Sequence, residues 1–178
     1  MAMDLIYYVA TSLDGYIATP SGDVDWLPVP ESEGEDFGFG DFFNSIDALI
    51  LGRKTYEKVL ELGEWHYAGK PSWVMTRQPL TPSQPDVVVT ARSPQEVWAE
   101  MRDRGYQRVW LVGGGQLATA FRTAGLITHY AIALIPILLG DGIPLFAPAP
   151  VATPLTLVDQ HPFPGGILML HYTPHGSP

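Results

Sequence analysis

Val109-Trp110-Leu111-Val112-Gly113-Gly114-Gly115-Gln116-Leu117-Ala118 is the stretch that decides the fold. An apolar run rich in β-formers breaks at three glycines and restarts as a helix. That is the strand-to-helix step of an α/β unit. Glycines let a ligand come close to the backbone, and the free N–H groups of a helix start attract phosphate. The run has the form G-x-G-x-x-A, but no acid stands about 20 residues later to hold a ribose. The next acid is Asp141, so this is not read as a Rossmann fingerprint. Three glycines also exceed what a tight turn needs. Phosphate or pyrophosphate contact is expected at Gly113, Gly114, Gly115 and Gln116, against the plain alternative of a strand-to-helix turn.

Upstream, Ala48-Leu49-Ile50-Leu51-Gly52 runs into Arg53-Lys54-Thr55 in the same way. Two cations in a first helical turn oppose the helix dipole, and an anionic ligand would remove that conflict. The alternative is that both side chains point into water. Arg53, Lys54, Arg77 and Arg92 all fall at or just after predicted strand ends. Ligands of open α/β sheets bind beyond the carboxyl ends of the strands, so these cations point to a multiply charged anion.

The remaining elements follow from composition and periodicity. Strands are predicted at 5–10, 72–76, 87–89, 129–135, 155–158 and 167–172, and helices at 36–45, 53–60, 93–104 and 116–123. Ser93-Pro94-Gln95-Glu96 is a helix start with an N-cap serine and an early proline. Residues 11–34 form a long irregular stretch, which inside a compact domain is usually functional or mobile. The order predicts one α/β domain over 1–178. Its mixed, mostly parallel central sheet carries helices on both faces and an antiparallel C-terminal edge.

Composition narrows the function. The chain has 178 residues, ten Lys and Arg, nineteen Asp and Glu, and a net charge of −9. No cation precedes Arg53, while ten acids do: Asp4, Asp14, Asp23, Asp25, Glu31, Glu33, Glu35, Asp36, Asp41 and Asp47. So acidic a chain repels a phosphate backbone, and no nucleic-acid partner is expected. With no cysteine, disulfides, thiolate metal sites and Cys nucleophiles are excluded. The five histidines show no ligand spacing, so no metal is expected. The longest apolar run, Tyr130–Leu139, contains Pro136 and is too short to span a membrane. The start has no signal-peptide pattern, which makes a cytoplasmic protein the expectation.

Five motifs in order complete the reading: Ser12-Leu13-Asp14-Gly15-Tyr16-Ile17-Ala18, Leu51-Gly52-Arg53-Lys54-Thr55-Tyr56-Glu57, Thr76-Arg77, Val112-Gly113-Gly114-Gly115, and Leu138-Leu139-Gly140-Asp141-Gly142-Ile143-Pro144-Leu145-Phe146. The ordered set resembles the dihydrofolate reductase-like superfamily. It is closest to the C-terminal reductase domain of the bifunctional riboflavin-biosynthesis deaminase-reductase. The resemblance implies a three-layer αβα fold and an NADPH-dependent reductase of a small pterin-like or flavin-precursor-like molecule. It implies that Gly52, Arg53, Lys54 and Thr55 hold the pyrophosphate and adenosine side. Thr76, Arg77 and Arg92 would surround the 2′-phosphate, and Gly113, Gly114, Gly115 and Gln116 would meet the pyrophosphate and ribose. Ala10, Ile17 and Ala18 would line the nicotinamide, with residues 15–27 closing over it. Asp36 falls where dihydrofolate reductases keep their active-site carboxylate. It reads either as a proton relay in an apolar pocket beside Phe37, Phe39, Phe42 and Phe43, or as one more exposed acid.

Two departures accompany the resemblance. The hydroxyl that dihydrofolate reductases place on the strand after the glycine helix is replaced by Ile132 or its apolar neighbours, which disfavours folate. The longer segment by which the riboflavin enzyme holds a substrate phosphate is not evident, and the first 52 residues offer no cation to replace it. The branch often forms homodimers, for which strand 130–135 and the Pro-rich stretch 144–154 are candidate surfaces. A non-catalytic NADPH-binding module and a purely structural dimer domain are the alternatives to an enzyme.

Overall fold

The computed structural model describes residues 2–30 and 35–176. Glu31, Glu33 and the end of the irregular 11–34 stretch lie outside the described residues. In chain order the elements are β1 (Asp4–Ser12), β2 (Tyr16–Ala18), α1 (Phe39–Ser45), β3 (Ala48–Gly52), α2 (Arg53–Glu61), β4 (Ser72–Met75) and β5 (Val87–Thr90). They continue as α3 (Pro94–Asp103), β6 (Arg108–Gly113), α4 (Gly115–Thr123), β7 (His129–Ile135), β8 (Ile143–Pro144), β9 (Leu155–Pro162) and β10 (Leu168–Pro174).

Eight strands form one sheet in the order β5-β4-β3-β6-β1-β7-β10-β9. The first six run parallel, and β10 and β9 add an antiparallel edge. The continuous apolar runs have their reason here, because a parallel strand is covered on both faces. On one face Leu49, Leu51, Trp110 and Tyr8 pack against Phe39, Phe42 and Phe43 of α1, while Tyr56 of α2 packs on Val74 and Val87. On the other face Val97 and Met101 of α3 and Ala118 and Phe121 of α4 pack against Leu5, Tyr7, Ile50, Trp73 and Leu111. The fold class read from the sequence is the one observed.

Three differences have local causes. Helix α1 begins at Phe39 rather than at residue 36, because Phe37 (φ 54) and Gly38 (φ 79) are left-handed. Strands β2 and β8 pair as a separate small sheet, Tyr16 with Pro144 and Ala18 with Ile143; at three and two residues they are too short to leave a pattern. Strand β7, read as a candidate interface, is instead paired on both sides, by β1 and β10, and its Tyr130, Ala131, Ile132 and Ile135 are buried. At this end of the sheet the edge strand is β9, which is exposed along its length; β5 is the edge at the other end. Among the described residues, no helix is long and apolar enough to cross a membrane.

Candidate active site

Strands β3 and β6 are parallel neighbours, so the helices that follow them, α2 and α4, start side by side. Their N-caps are Gly52 and Gly114, and neither start has a side-chain cap. The first four N–H groups of a helix have no partner within it, and here no side chain serves them. Helix α3 is different. Ser93 accepts from the Glu96 N–H, and the Glu96 carboxylate accepts from the Ser93 N–H and hydroxyl.

The glycines of the two turns have separate reasons. Gly113 has φ 121, a conformation that a side chain resists. A methyl group on Gly115 would run into the Pro144 carbonyl and come within 3.2 Å of the Leu145 carbonyl. Gly114 has no such constraint. A methyl group there would sit 3.7 Å from the Thr55 hydroxyl and 3.8 Å from Ile17 Cδ1, which is ordinary contact. Packing therefore requires two of the three glycines and leaves the third bare beside Thr55 and Ile17. A methyl group on Gly52 would lie 3.5 Å from the Gly113 carbonyl, so the two turns are packed together. The structure thus gathers Gly52, Thr55, Gly113, Gly114, Gly115 and Ile17. Gln116 is exposed in the first turn of α4. Ala10 lies apart on β1 opposite Ala133, and Ala18 is buried in β2.

The four cations stand just after β3, β4 and β5, and they divide into two kinds. Arg53 Nε donates to Glu57 Oε1 at 2.7 Å, and its Nη1 donates to Gln78 Oε1 at 3.0 Å and to the Pro79 carbonyl at 3.3 Å. It fastens α2 to the β4–β5 connection. Arg92 Nη1 donates to Glu100 Oε2 at 2.6 Å. Lys54 and Arg77 are exposed and make no ion pair among the described residues. Thr76 turns the chain between them by accepting from the Gln78 N–H at 3.1 Å. A phosphate-rich ligand would meet Lys54 and Arg77 first, and an exposed pair such as Arg92–Glu100 exchanges partners at little cost.

Asp36 stands on the other side of the sheet's midline. Its carboxylate is exposed and accepts from the Gly38 N–H at 2.9 Å and the Gly40 N–H at 2.7 Å. It is not enclosed by Phe37, Phe39, Phe42 and Phe43, as the apolar-pocket reading requires. The start of α1 claims both oxygens, while the α1 rings turn inward to Tyr8 and Trp110. Tyr8 stacks on Phe42 at 4.1 Å. Burial, and then the charge of Asp36, push its hydroxyl up to about 12. Trp65 packs on Tyr56 and Tyr67, and His66 is exposed.

Two features escaped the sequence reading. Asp14 accepts from the Gly140 N–H at 2.7 Å, the Leu139 N–H at 3.1 Å and the Ser12 hydroxyl at 2.6 Å. The Ser12 hydroxyl first, then the Gly140 and Leu139 amides, hold its carboxyl below the usual range. This clasp fastens the turn after β1 to the β7–β8 connection. The second feature is a cavity of about 110 Å³ whose lining includes Val29, Glu35, Phe37, Ile135, Pro136 and Ile167. Its residues come from three distant segments, so no local spacing announces it. Among the described residues, no cluster of three or more His, Asp or Glu is placed to hold a metal.

The model of the RibD C-terminal domain matches residues 4–169. The chain belongs to the RibD C-terminal domain family. Across 97% of this chain and 98% of its own length, the Bacillus subtilis (strain 168) protein YwjB is 35% identical. A solved Shewanella sp. PV-4 protein, assigned to riboflavin biosynthesis, superposes with a TM-score of 0.89 at 29% identity, covering 97% of this chain and 99% of that one. The Thermotoga maritima diaminohydroxyphosphoribosylaminopyrimidine deaminase/5-amino-6-(5-phosphoribosylamino)uracil reductase shares the fold, with a TM-score of 0.73 at 17% identity. The match covers 97% of this chain and 57% of that longer one. The RibD-type architecture is therefore that of a reductase domain.

Proposed function

We propose that this RibD-type domain is a cytoplasmic, NADPH-dependent reductase of a small heteroaromatic or carbonyl substrate. One observation carries the reading: two uncapped helix starts lie against each other at the carboxyl ends of neighbouring parallel strands. Such a pair offers converging N–H groups and two dipole ends to a pyrophosphate. The residues fit the cofactor. Gly52, Thr55, Gly113, Gly114, Gly115 and Gln116 would hold its pyrophosphate and ribose, with Arg53 and Lys54 beside them. Thr76, Arg77 and Arg92 would take the 2′-phosphate. Ile17, Ala18 and the small Ala10 would bound the nicotinamide. Bound NADPH supplies the hydride. The chain's own tasks are to align the two rings, exclude water and deliver a proton. Asp36, whose charge reaches the Tyr8 hydroxyl, is the proposed proton carrier.

The reading also includes a second copy of the chain at the β9 edge. Leu155, Leu157 and Val158 are exposed there, and Asp159 is the strand's only charged residue. Natural edges are usually blocked by lysines or prolines along the strand. Antiparallel pairing of two β9 strands about Val158 sets each Asp159 against a Leu157, not against its own copy.

The test is titration with NADPH, followed by tryptophan quenching and thermal shift. Binding with loss of 340 nm absorbance on adding a substrate is the expected result. No response at millimolar NADPH overturns the reading, and binding without any turnover leaves a nucleotide-binding module. Asp36→Asn keeps one of the two acceptors at the α1 start, its amide oxygen. It should lower turnover without changing NADPH affinity; unchanged turnover leaves Asp36 as a helix cap alone.

A further inference from the structure

All ten Lys and Arg residues lie between Arg53 and Arg122. Residues 1–52 and 123–178 carry twelve acids, the ten named above with Asp141 and Asp159, and no cation. The sheet order turns this sequence fact into a spatial one. Strands β3, β4, β5 and β6 form one half of the sheet, and β1, β7, β10 and β9 form the other. The second half is built entirely from the two cation-free segments.

The 110 Å³ cavity belongs to that second half. Ala10 faces Ala133, and Ser12 faces Ile135 two residues further along the same sheet face. Ile135 lines the cavity, which therefore opens roughly 7 Å beyond the Ala10–Ala133 pair, at about 3.3 Å per residue. Its walls are mostly apolar, with Val29, Phe37, Pro136 and Ile167 beside Ile135, and Phe37 meets Phe163 edge-on at 5.8 Å behind the lining. Glu35 also lines it. Lys58 and Lys70, which reach residues of the cation-free segments, are both engaged. Lys58 donates to Asp23 at 2.8 Å, and Lys70 donates to the Ile46 carbonyl and sits 4.9 Å over the Phe43 ring. The basic side chains of this half are His129, His161, His171 and His175, of which His161 meets Phe163 edge-on at 4.6 Å.

From this placement we infer that the substrate is a planar ring that carries no phosphate. The inference rests on the proposed reductase reading and names the substrate class of the same site. A phosphorylated side chain would bring about two negative charges into a carboxylate-lined, cation-free chamber, with nothing to replace their water. A neutral or cationic heteroaromatic ring loses little there and gains contact with Phe37, Ile135 and Ile167. The chain thereby parts from the phosphoribosylamino-uracil for which its Thermotoga maritima structural neighbour is named.

The test uses protein saturated with NADP⁺ at pH 8. Isothermal titration compares neopterin with neopterin 3′-phosphate, and 5-amino-6-ribitylaminouracil with its 5′-phosphate. At least one unphosphorylated member should bind about tenfold or more tightly than its own phosphate ester. Val29→Arg places a cation at the rim on an exposed residue, 83% accessible, whose replacement leaves the core intact. It should strengthen the phosphate ester about fivefold relative to its unphosphorylated partner. A phosphate ester that binds equally or better, or no binding by any of the four, overturns the inference. Failure of NADP⁺ to bind overturns the reductase reading instead, and the same four titrations without cofactor still decide the inference.

Discussion

Helix α3 closes its own N-terminus, while α2 and α4 leave theirs open. All three follow parallel strands at the same end of the sheet. Ser93 and Glu96 supply α3 with a complete capping box, so its start is finished by the chain itself. Gly52 and Gly114 supply nothing but backbone. A glycine at the N-cap forfeits roughly a few tenths of a kcal/mol against Ser, Thr, Asp or Asn, and leaves the first amides of the helix without a side-chain acceptor. Here two are left open side by side, with Arg53 and Lys54 adding cations that the helix dipole disfavours. The contrast teaches that local stability has been given up at one pair of helix starts and not at the third. A bound anion restores it.

Three substitutions sharpen or break this contrast. Gly115→Ala should act most strongly, because its methyl group meets two backbone carbonyls that cannot rotate away. Overpacking of this kind costs roughly 1–3 kcal/mol, which lowers Tm by about 3–10 °C in a chain of this size. NADPH affinity should fall with it. An unchanged melting curve would mean that the Pro144–Leu145 chain moves freely and that Gly115 is as unconstrained as Gly114. Arg77→Ala comes next. It should weaken NADPH about tenfold, roughly 1.4 kcal/mol, and leave NADH nearly unaffected. Equal losses in direct titrations of the two cofactors would remove Arg77 from the 2′-phosphate. Ser93→Ala is the smallest, at about 1 kcal/mol of stability with no change in NADPH affinity. A loss of cofactor binding in that variant would erase the distinction between the two kinds of helix start.

Much of the fold was legible because its evidence is local. Tyr130 to Ile135 reads as a buried strand from its own side chains, and Ser93-Pro94-Gln95-Glu96 reads as a helix start from four neighbours. Part of the candidate site was legible for the same reason. Gly52, Thr55 and Gly113–Gly115 sit in strand-to-helix turns that the chain writes contiguously. Other features depend on partners far away in sequence. Arg53 and Lys54 are adjacent residues of one motif, yet Arg53 is held by Gln78 and Pro79 while Lys54 is free of ion pairs among the described residues. Asp36 could be placed beside four phenylalanines but not in or out of their cluster, because two amides of α1 settle which way it faces. The Asp14 clasp spans more than a hundred residues.

By itself the sequence determined the α/β class, the parallel centre, the antiparallel edge and the confinement of every Lys and Arg to residues 53–122. These follow from residue type and short-range period, which the chain carries wherever it goes. Tertiary structure alone decided three things. It chose which glycine is bare for a ligand and which is merely packed, and it made β9, not β7, the open edge. It also gathered the cation-free segments into one half of the sheet around one cavity. Each depends on which strands become neighbours, and strand order is fixed by long-range pairing and burial, not by any residue's own preference.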